Sequence, residues 1–258
     1  MRDYHIHTDN SFDSVAKMED YCKRAIEIGL KEVAFMEHFD SNPSDESTGF
    51  FKYEKYKSEI LNCREVYGDR LKITAGLELG EPHEYHKMHE EYKKDKFFDL
   101  FIGAVHFVNG QVIHRTYNEQ ETADKIIEEY FAALHQTVKT ANFNLVAHID
   151  VIKRYVPEAM GSFKPEEYRM MIEDILKDII KSPLAIEVNS SGLRQKLKEP
   201  LPAYEIIQWY KDLGGEKIVY ASDSHRIEHL ASDYHRLERE MKDLGFKGFA
   251  IWEDGEWK

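Results

Sequence analysis

The sequence has little cysteine, a deficit of basic charge and no long apolar run. Two cysteines occur in 258 residues, and Cys22 and Cys63 form no CxxC pattern, which argues against a disulfide framework or a thiolate metal site. The formal net charge of −13 argues against a general nucleic-acid or anionic-membrane surface, because both would repel the protein. The sequence contains no run of about 18 apolar residues and no apolar segment near Met1, so we expect neither membrane insertion nor export, and a cytoplasmic location.

The composition supports a large buried core. Hydrophobic residues make up 42% of the chain and aromatic residues 12%, which is typical of a folded protein. No stretch rich in proline, glycine and serine divides the sequence. We therefore expect a single domain over residues 1–258.

Strand-like apolar runs alternate with segments of helical spacing along the chain. The strand-like runs are Arg2–His7, Val33–Met36, Leu71–Leu77, Phe98–Val105, Asn144–Ala147, Leu184–Asn189 and Lys217–Ser222. The predicted helices are Met18–Ile28, Tyr53–Tyr67, His86–Lys94, Ala123–Val138, Pro165–Ile180, Ala203–Leu213 and Leu230–Leu244, and Gly248–Ile251 is predicted to be a short closing strand. Seven successive β/α units predict an α/β parallel barrel with its active groups at the carboxyl ends of the strands.

Two histidines lie two residues apart on the first predicted strand. Side chains at i and i+2 share one face of a strand, so His5 and His7 can bind one metal ion from a single rigid element. Tyr4 and Ile6 are expected to point the other way, into apolar packing. Because histidine is also common in protein cores, the pair alone is weak evidence for a metal site.

Six strand-like runs finish in histidine, glutamate or aspartate. These residues are His5 and His7, Glu37 and His38, Glu78, His106, His148, and Asp223 with His225. Imidazoles and carboxylates without thiolates suit divalent Zn, Mn or Fe. A single structural zinc uses only four ligands, so the surplus predicts more than one metal. The alternative, that each histidine merely caps a strand, requires six coincidences. His86 and His89, in a mostly charged segment, are expected at the surface.

A family resemblance rests on motifs spread over nearly the whole chain. The motifs are His5-Ile6-His7-Thr8 with Ser11 and Asp13, Glu37-His38, Gly76-Leu77-Glu78, Gly103-Ala104-Val105-His106, His148-Ile149-Asp150 and Ser222-Asp223-Ser224-His225. Together they resemble the PHP (polymerase and histidinol phosphatase) family. The segments 105–108, 148–152 and 188–194 are most similar to its stand-alone phosphatases. The resemblance implies a distorted (β/α)7 barrel and a phosphoric monoester hydrolase that converts L-histidinol phosphate to L-histidinol in histidine biosynthesis.

The resemblance also implies three divalent metal ions. Carried over by position, His5, His7, Glu78 and Asp223 would hold the first ion, Glu78 would bridge to a second held by His106 and His148, and Asp13, His38 and His225 would hold the third. Some family members have histidine where this chain has Asp13, so the third site is where the chain departs from the family pattern.

The expected reaction is in-line attack on phosphorus by a hydroxide that bridges two metals. Arg194 and Arg154, which follow the sixth and fifth strands, are the cations best placed to hold the phosphoryl oxygens. A metal-bound water, Asp13 or His225 could protonate the leaving alcohol. Asp13, Asp223, His225 and Arg194 are thus expected to be catalytic. Glu81 and His83 are expected to contact the substrate from a loop after Glu78.

Other functions fit parts of the same pattern. A phosphodiesterase or nuclease of the same family, or a phosphatase for other small phosphomonoesters, would use similar metals. An amidohydrolase-type enzyme would leave Asp13, His38 and His225 without a role, and a non-catalytic metal-binding domain is a further alternative. The acidic chain has no extended basic stripe for a polymer, which favours a small phosphate ester as the only partner. The sequence does not indicate the oligomeric state.

Overall fold

Seven parallel strands form a nearly closed barrel in the computed structural model, which describes residues 1–118, 120–140, 142–157, 160 and 163–258. The strands are β1 Arg2–Ile6, β2 Glu32–Phe39, β3 Lys72–Gly80, β4 Leu100–Ala104, β5 Phe107–Val108, β6 Gln111–Val112, β7 Leu145–Val146, β8 Ala185–Asn189, β9 Ile218–Ala221, β10 Trp252–Glu253 and β11 Glu256–Trp257. The barrel order is β1-β2-β3-β4-β7-β8-β9, while β5/β6 and β10/β11 form small antiparallel pairs. The predicted α/β barrel is confirmed.

Helices connect the barrel strands. They are α1 Met18–Glu27, α2 Tyr53–Tyr67, α3 Pro82–Lys94, α4 Ala123–Thr140, α5 Arg169–Lys181, α6 Ser191–Arg194, α7 Tyr204–Asp212 and α8 Tyr234–Asp243, with 3-10 helices at Val151–Arg154, Pro165–Tyr168 and Ile227–His229. Cys22 and Cys63 are free and buried, as the lack of a cysteine pattern indicated. No helix within the described residues is both long and apolar enough to cross a membrane.

Two apolar clusters fill the structure, one inside the barrel and one between the barrel and its helices. The inner cluster draws on six of the seven barrel strands and is closed by the aromatic pair Trp252 and Trp257, whose ring centroids are 4.9 Å apart. Tyr4 belongs to the inner cluster, but Ile6 belongs to the outer one. The expectation that both share one face is wrong because the register of β1 shifts between Asp3 and Ile6.

Most predicted elements are present with small changes at their ends, but two differences matter. Glu37, His38 and Glu78 lie within β2 and β3 rather than after them, because the pairing of these two strands continues through His38 and Glu78. The predicted closing strand 248–251 is wrong. The chain instead forms the β10/β11 hairpin, whose tryptophans cover the end of the barrel opposite the polar residues.

The barrel closes between β9 and β1 through a limited set of main-chain contacts. Ile6 and Ser224 form an isolated parallel bridge, and the His7 N–H donates to the Ser224 carbonyl at 2.9 Å. Asp3, which is fully buried, accepts hydrogen bonds from the backbone N–H groups of Ser222 at 2.9 Å and Ala231 at 3.0 Å. The Asp3 side chain therefore adds hydrogen bonds between the first strand and the residues after β9, where the main-chain hydrogen bonds are few.

We expect Asp3→Ala to lower the free energy of unfolding by about 2 kcal/mol, because two N–H donors at the seam lose their acceptor. Urea unfolding followed by circular dichroism will measure the change. Asp69→Ala is the matched control, since Asp69 is 75% exposed. Equal stability of the Asp3 and Asp69 variants would contradict a role for Asp3 in barrel closure.

Candidate metal centre

Nine histidine, aspartate and glutamate side chains converge at the carboxyl ends of the barrel strands. They are His5, His7, Asp13, His38, Glu78, His106, His148, Asp223 and His225. These are the residues predicted to be metal ligands, and the structure brings all nine into one network of contacts. The parallel register explains part of this, because His38 on β2 lies directly beside Glu78 on β3.

Glu78 is the centre of the network and is 1% exposed. Its Oε1 lies 3.0 Å from His148 Nε2 and 3.5 Å from His106 Nε2. Its Oε2 lies 3.0 Å from His38 Nδ1 and 3.4 Å from His5 Nε2. A carboxylate with imidazoles around both oxygens is arranged to bridge two cations.

A second set of contacts extends from this centre towards solvent. Asp223 Oδ1 lies 3.6 Å from His7 Nε2 and 3.6 Å from His225 Nδ1. Asp13 Oδ2 lies 3.0 Å from His225 Nε2 and 3.6 Å from His38 Nε2. Ligand atoms within 4.8 Å of one another form four overlapping groups: His7, His38 and His225; His5, His7 and Asp223; His38, Asp40 and His106; and Glu78, His106 and His148.

Outer carboxylates orient the imidazoles, and sequence reasoning assigned them no role. Glu187 Oε2 lies 2.7 Å from His5 Nδ1, which leaves His5 Nε2 facing the cluster. Asp40 Oδ1 lies 3.4 Å from His106 Nδ1. A carboxylate on the far nitrogen fixes the tautomer and the ring of a metal-binding histidine. The arrangement needs glycine at position 80, where a Cβ would lie 2.1 Å from Asp40 Oδ1.

His7 is oriented by a hydroxyl rather than directly by a carboxylate. Its Nδ1 lies 3.2 Å from Ser11 Oγ, and the Ser11 hydroxyl donates to Glu37 Oε2 at 2.6 Å. Glu37 also accepts from the Thr8 hydroxyl at 2.6 Å. This explains why Thr8, Ser11 and Glu37 accompany the ligand residues in the sequence motifs.

The pKa shifts in the cluster follow from burial and from the crowding of charges. Burial alone would lower the pKa of His5, but the carboxylates of Glu187 and Glu78 raise it well above its ordinary value. Burial and the imidazoles of His225 and His38 lower the pKa of His7 to about 3, so that ring is neutral. Burial would raise the pKa of Glu78, but the surrounding imidazoles hold it well below its usual range. The carboxylates thus create a field that favours positive charge, which includes a divalent cation.

The donor set fits divalent metal ions. Glu78 Oε2 and His38 Nδ1 are buried and lie 3.0 Å apart, but neither has a partner with hydrogen-bond geometry within the described part of the chain. His5 Nε2 and His7 Nε2 lie only 2.9 Å apart. Buried polar atoms normally have partners, and clustered nitrogen and oxygen atoms without a thiolate match Zn, Mn or Fe chemistry. These clusters are therefore suited to divalent metals.

A cavity of ≈ 160 Å³ opens directly onto the cluster. Seven of the nine ligand-type residues line it, while His5 and His7 lie buried beneath. Its other walls are Phe12, Asp40, Asp45, Val112, Ile113, His114, Val151, Arg154 and Tyr155. A small molecule in this cavity would contact the ligand cluster on one side and mainly apolar and aromatic groups on the other.

The two arginines predicted to bind phosphate differ in position. Arg154 lines the cavity, its Nη2 donates to Ser191 Oγ at 2.7 Å, and its Nε is buried without a hydrogen-bond partner in the described residues. Arg194 does not line the cavity. Its guanidinium donates to the Ser222 carbonyl at 2.8 Å and to Ser232 Oγ at 2.5 Å, so its contacts in the structure are internal. Internal acceptors already use its Nη1 and Nη2 groups.

The expected substrate loop around Glu81 and His83 is not at the cavity. Glu81 is fully buried, and its Oε1 accepts from the backbone N–H groups of His106 at 2.6 Å and Phe107 at 3.0 Å. His83 lies in the first turn of α3, where its Nδ1 is 2.8 Å from Thr137 Oγ1. Both side chains serve internal contacts between α3, α4 and the end of β4.

One histidine expected at the surface is buried. His89 is fully buried on α3, its ring centroid is 5.7 Å from that of Phe39, and burial lowers its pKa to about 4. His86 is exposed as expected. Most residues of this segment are charged, so the sequence did not indicate that His89 lies on the buried face of α3.

The model of the PHP domain family matches residues 3–191. The chain belongs to this family. The match extends from Asp3 into the first residue of α6 and includes seven of the nine ligand-type residues, while Asp223 and His225 lie beyond it. The family prediction made from the motifs is therefore confirmed.

Relatives extend the similarity over nearly the whole chain. A probable histidinol-phosphatase from Thermotoga maritima is 27% identical over 251 residues, 97% of this chain and 95% of the relative. A histidinol-phosphatase from Lactococcus lactis is 27% identical over 254 residues, 97% of this chain and 93% of the relative.

Solved structures show the same fold. The histidinol phosphate phosphatase of Lactococcus lactis, crystallised with zinc, L-histidinol and phosphate, superposes with a TM-score of 0.90 at 26% identity and covers 100% of this chain and 98% of its own. A protein from Listeria monocytogenes gives a TM-score of 0.79 at 20% identity, over 92% of this chain and 99% of that chain, and shows the fold alone.

Proposed function

We propose that this chain is a metal-dependent phosphoric monoester hydrolase that converts L-histidinol phosphate to L-histidinol and phosphate in L-histidine biosynthesis, with residues 1–258 acting as one domain. The observation that carries the proposal is that Arg154 lines the same cavity as the metal-type ligands. An anion-binding group and cation-binding groups in one small space suit a phosphoryl group. The Lactococcus lactis structure with zinc, L-histidinol and phosphate supports the choice of substrate.

We propose three divalent ions, of Zn, Mn or Fe. His5, His7, Glu78 and Asp223 would hold the first, Glu78, His106 and His148 the second, and Asp13, His38 and His225 the third. The groups of clustered ligand atoms support the first two assignments. For the third, Asp13 Oδ2 lies 3.0 Å from His225 Nε2 and 3.6 Å from His38 Nε2.

The metals and the protein side chains would divide the work. Bound divalent ions would lower the pKa of water to about 7 and stabilise charge on the phosphoryl oxygens. Arg154, in the cavity wall, would hold a phosphoryl oxygen with its guanidinium. Arg194 would act indirectly, by holding the backbone at Asp223, whose φ of 50° lies in the left-handed region. Phe12, Val112, Ile113 and Tyr155 would pack against the leaving alcohol.

Proton delivery to the leaving alcohol would come from the open side of the cavity. Burial would raise the pKa of Asp13, but hydrogen bonds with His225 and His38 lower it, so its carboxylate is ionised and has no proton to give. An imidazole that coordinates a metal has no proton to give at that nitrogen either. Since Asp13 is 36% exposed and His225 27% exposed, solvent reaches this side of the site.

The test is phosphate release from L-histidinol phosphate and from a panel of phosphomonoesters and diesters, using metal-reconstituted protein with its metal content determined in parallel. We expect kcat/KM for L-histidinol phosphate to exceed that for the other monoesters by about 100-fold or more, because the cavity also contacts the leaving group. Activity on diesters alone would replace the proposal with a phosphodiesterase. Equal rates on all monoesters would retain a phosphatase but remove the named substrate.

A further inference from the structure

A buried lysine lies directly before Arg154 in the 3-10 helix Val151–Arg154. The side chain of Lys153 is 1% exposed. Its Nζ lies 2.8 Å from Asp150 Oδ2 and 2.9 Å from Glu199 Oε1, and donates to the Pro200 carbonyl at 3.1 Å. Lysine is almost never fully buried unless paired, and here the two carboxylates supply that pairing.

The partners of Lys153 join two segments that are distant in sequence. Asp150, the last residue of the His148-Ile149-Asp150 motif, is fully buried and accepts the Ala203 N–H through Oδ2 at 2.8 Å. The segment that contains Glu199 and Ala203 is also bound to β8, because Asn189 and Leu201 exchange backbone hydrogen bonds of 2.8 and 3.0 Å. Asp150 and Lys153 therefore fasten the turn after β7 to the chain that follows α6.

Ser191, at the start of α6, contacts Arg154 beside the cavity. Arg154 Nη2 donates to Ser191 Oγ at 2.7 Å, and the Ser191 hydroxyl donates to Asp223 Oδ2 at 3.3 Å. Ser191 is the first residue of α6, and the chain after α6 contains Glu199 and Pro200, which Lys153 contacts. The guanidinium is thus fixed from two sides, by its own hydrogen bond and by the anchoring of the short helix that carries it.

We propose that Lys153 is a positioning residue that, through Asp150 and Glu199, sets the place of Arg154 and thereby the affinity of the site for a phosphoryl group. The proposal rests on the phosphate-binding role given to Arg154 above. Removal of the ammonium leaves the Asp150 carboxylate buried without its cation, which is strongly unfavourable. The 3-10 helix Val151–Arg154 has only four residues. If the Asp150 carboxylate moved or became hydrated after losing its cation, the displacement would reach Arg154.

The experiment compares Lys153→Met, Arg154→Ala and the double variant in metal-loaded protein. Inorganic phosphate is the probe, and its binding is measured by calorimetry and as inhibition of substrate hydrolysis. We expect Lys153→Met to weaken phosphate binding and raise KM about tenfold, with a smaller change in kcat and no change in metal content. The double variant should bind phosphate as weakly as Arg154→Ala alone. Lys153 is proposed to act only through Arg154, so its loss has no further effect once the arginine is absent. Lys177→Met, at a 41% exposed surface lysine, is the control.

Additive effects in the double variant, or unchanged phosphate binding in a less stable Lys153→Met protein, would overturn the proposal and leave Lys153 as a core ion pair. Glu199→Gln decides the matter if Lys153→Met fails to fold, since Glu199 is 32% exposed and Asp150 still pairs with the lysine. Glu199→Gln should weaken phosphate binding about threefold, and no change would count against the proposal. A wild-type protein that binds phosphate but hydrolyses no monoester would overturn the proposed function instead, while the calorimetry still tests Lys153.

Discussion

Glu78→Gln is expected to lower kcat/KM for L-histidinol phosphate by roughly 10³-fold or more. Glutamine keeps the size of the side chain, but its one carbonyl oxygen cannot replace two carboxylate oxygens that face separate pairs of imidazoles. The amide NH₂ would also turn hydrogen atoms towards a cation. We therefore expect metal content to fall together with activity, as measured by elemental analysis after dialysis.

Glu166→Gln is the matched control for this change, because Glu166 is 71% exposed and lies away from the cavity. Its activity and metal content should equal those of the wild type. A Glu78→Gln protein that keeps both its metals and its rate would show that Glu78 only organises the imidazoles and does not bridge two ions.

Arg154→Ala is expected to lower kcat/KM by roughly 30- to 150-fold, the equivalent of about 2 to 3 kcal/mol for a lost charge-assisted hydrogen bond. The position of Arg154 in the cavity wall, beside the metal-type ligands, is the reason to expect a ligand contact there. Steady-state kinetics will give the change in kcat/KM, and inhibition by inorganic phosphate should weaken in proportion.

Metal content should not change in the Arg154→Ala protein, which separates this effect from that of Glu78→Gln. Arg70→Ala, at a 54% exposed arginine on the outside of the barrel, should behave as the wild type. A loss of metal from the Arg154 variant would mean that the arginine supports the ligands through Ser191 and Asp223 rather than binding the phosphoryl group.

The barrel and its metal-type ligands could be predicted because both leave local signals in the sequence. The helix Tyr53–Tyr67 has the predicted ends, since its apolar residues recur with helical spacing. His5, His7, His38 and Glu78 were found because each lies on or directly after a short apolar run. In a parallel barrel such positions meet at one end whatever the distance between them in the sequence.

The residues that were missed depend on contacts between distant parts of the chain. Glu187 contacts His5 across 182 positions, and no local pattern separates it from a solvent-exposed glutamate. Arg194 and Glu81 were predicted to contact the substrate because each follows a strand. In the structure Arg194 donates to the Ser222 carbonyl, and Glu81 accepts from the His106 N–H. His89 lies inside a charged segment, where one buried face is too short to stand out. Sequence pattern thus located the side chains that cluster at the end of the barrel but not the groups that orient them.

The closure of the barrel between its first and last strands has a consequence for the resistance of the protein to proteolysis in the cell. The proposed first metal takes His5 from β1, His7 directly after it, and Asp223 from just beyond β9, so it spans the seam between the first and last strands. A bound ion there would be a cross-link at the seam, where Ile6 and Ser224 form an isolated bridge. At a thousandfold excess over its dissociation constant, it would add about 4 kcal/mol to the free energy of unfolding. Metal supply would then set how much protein escapes proteolysis, as well as how fast each molecule works.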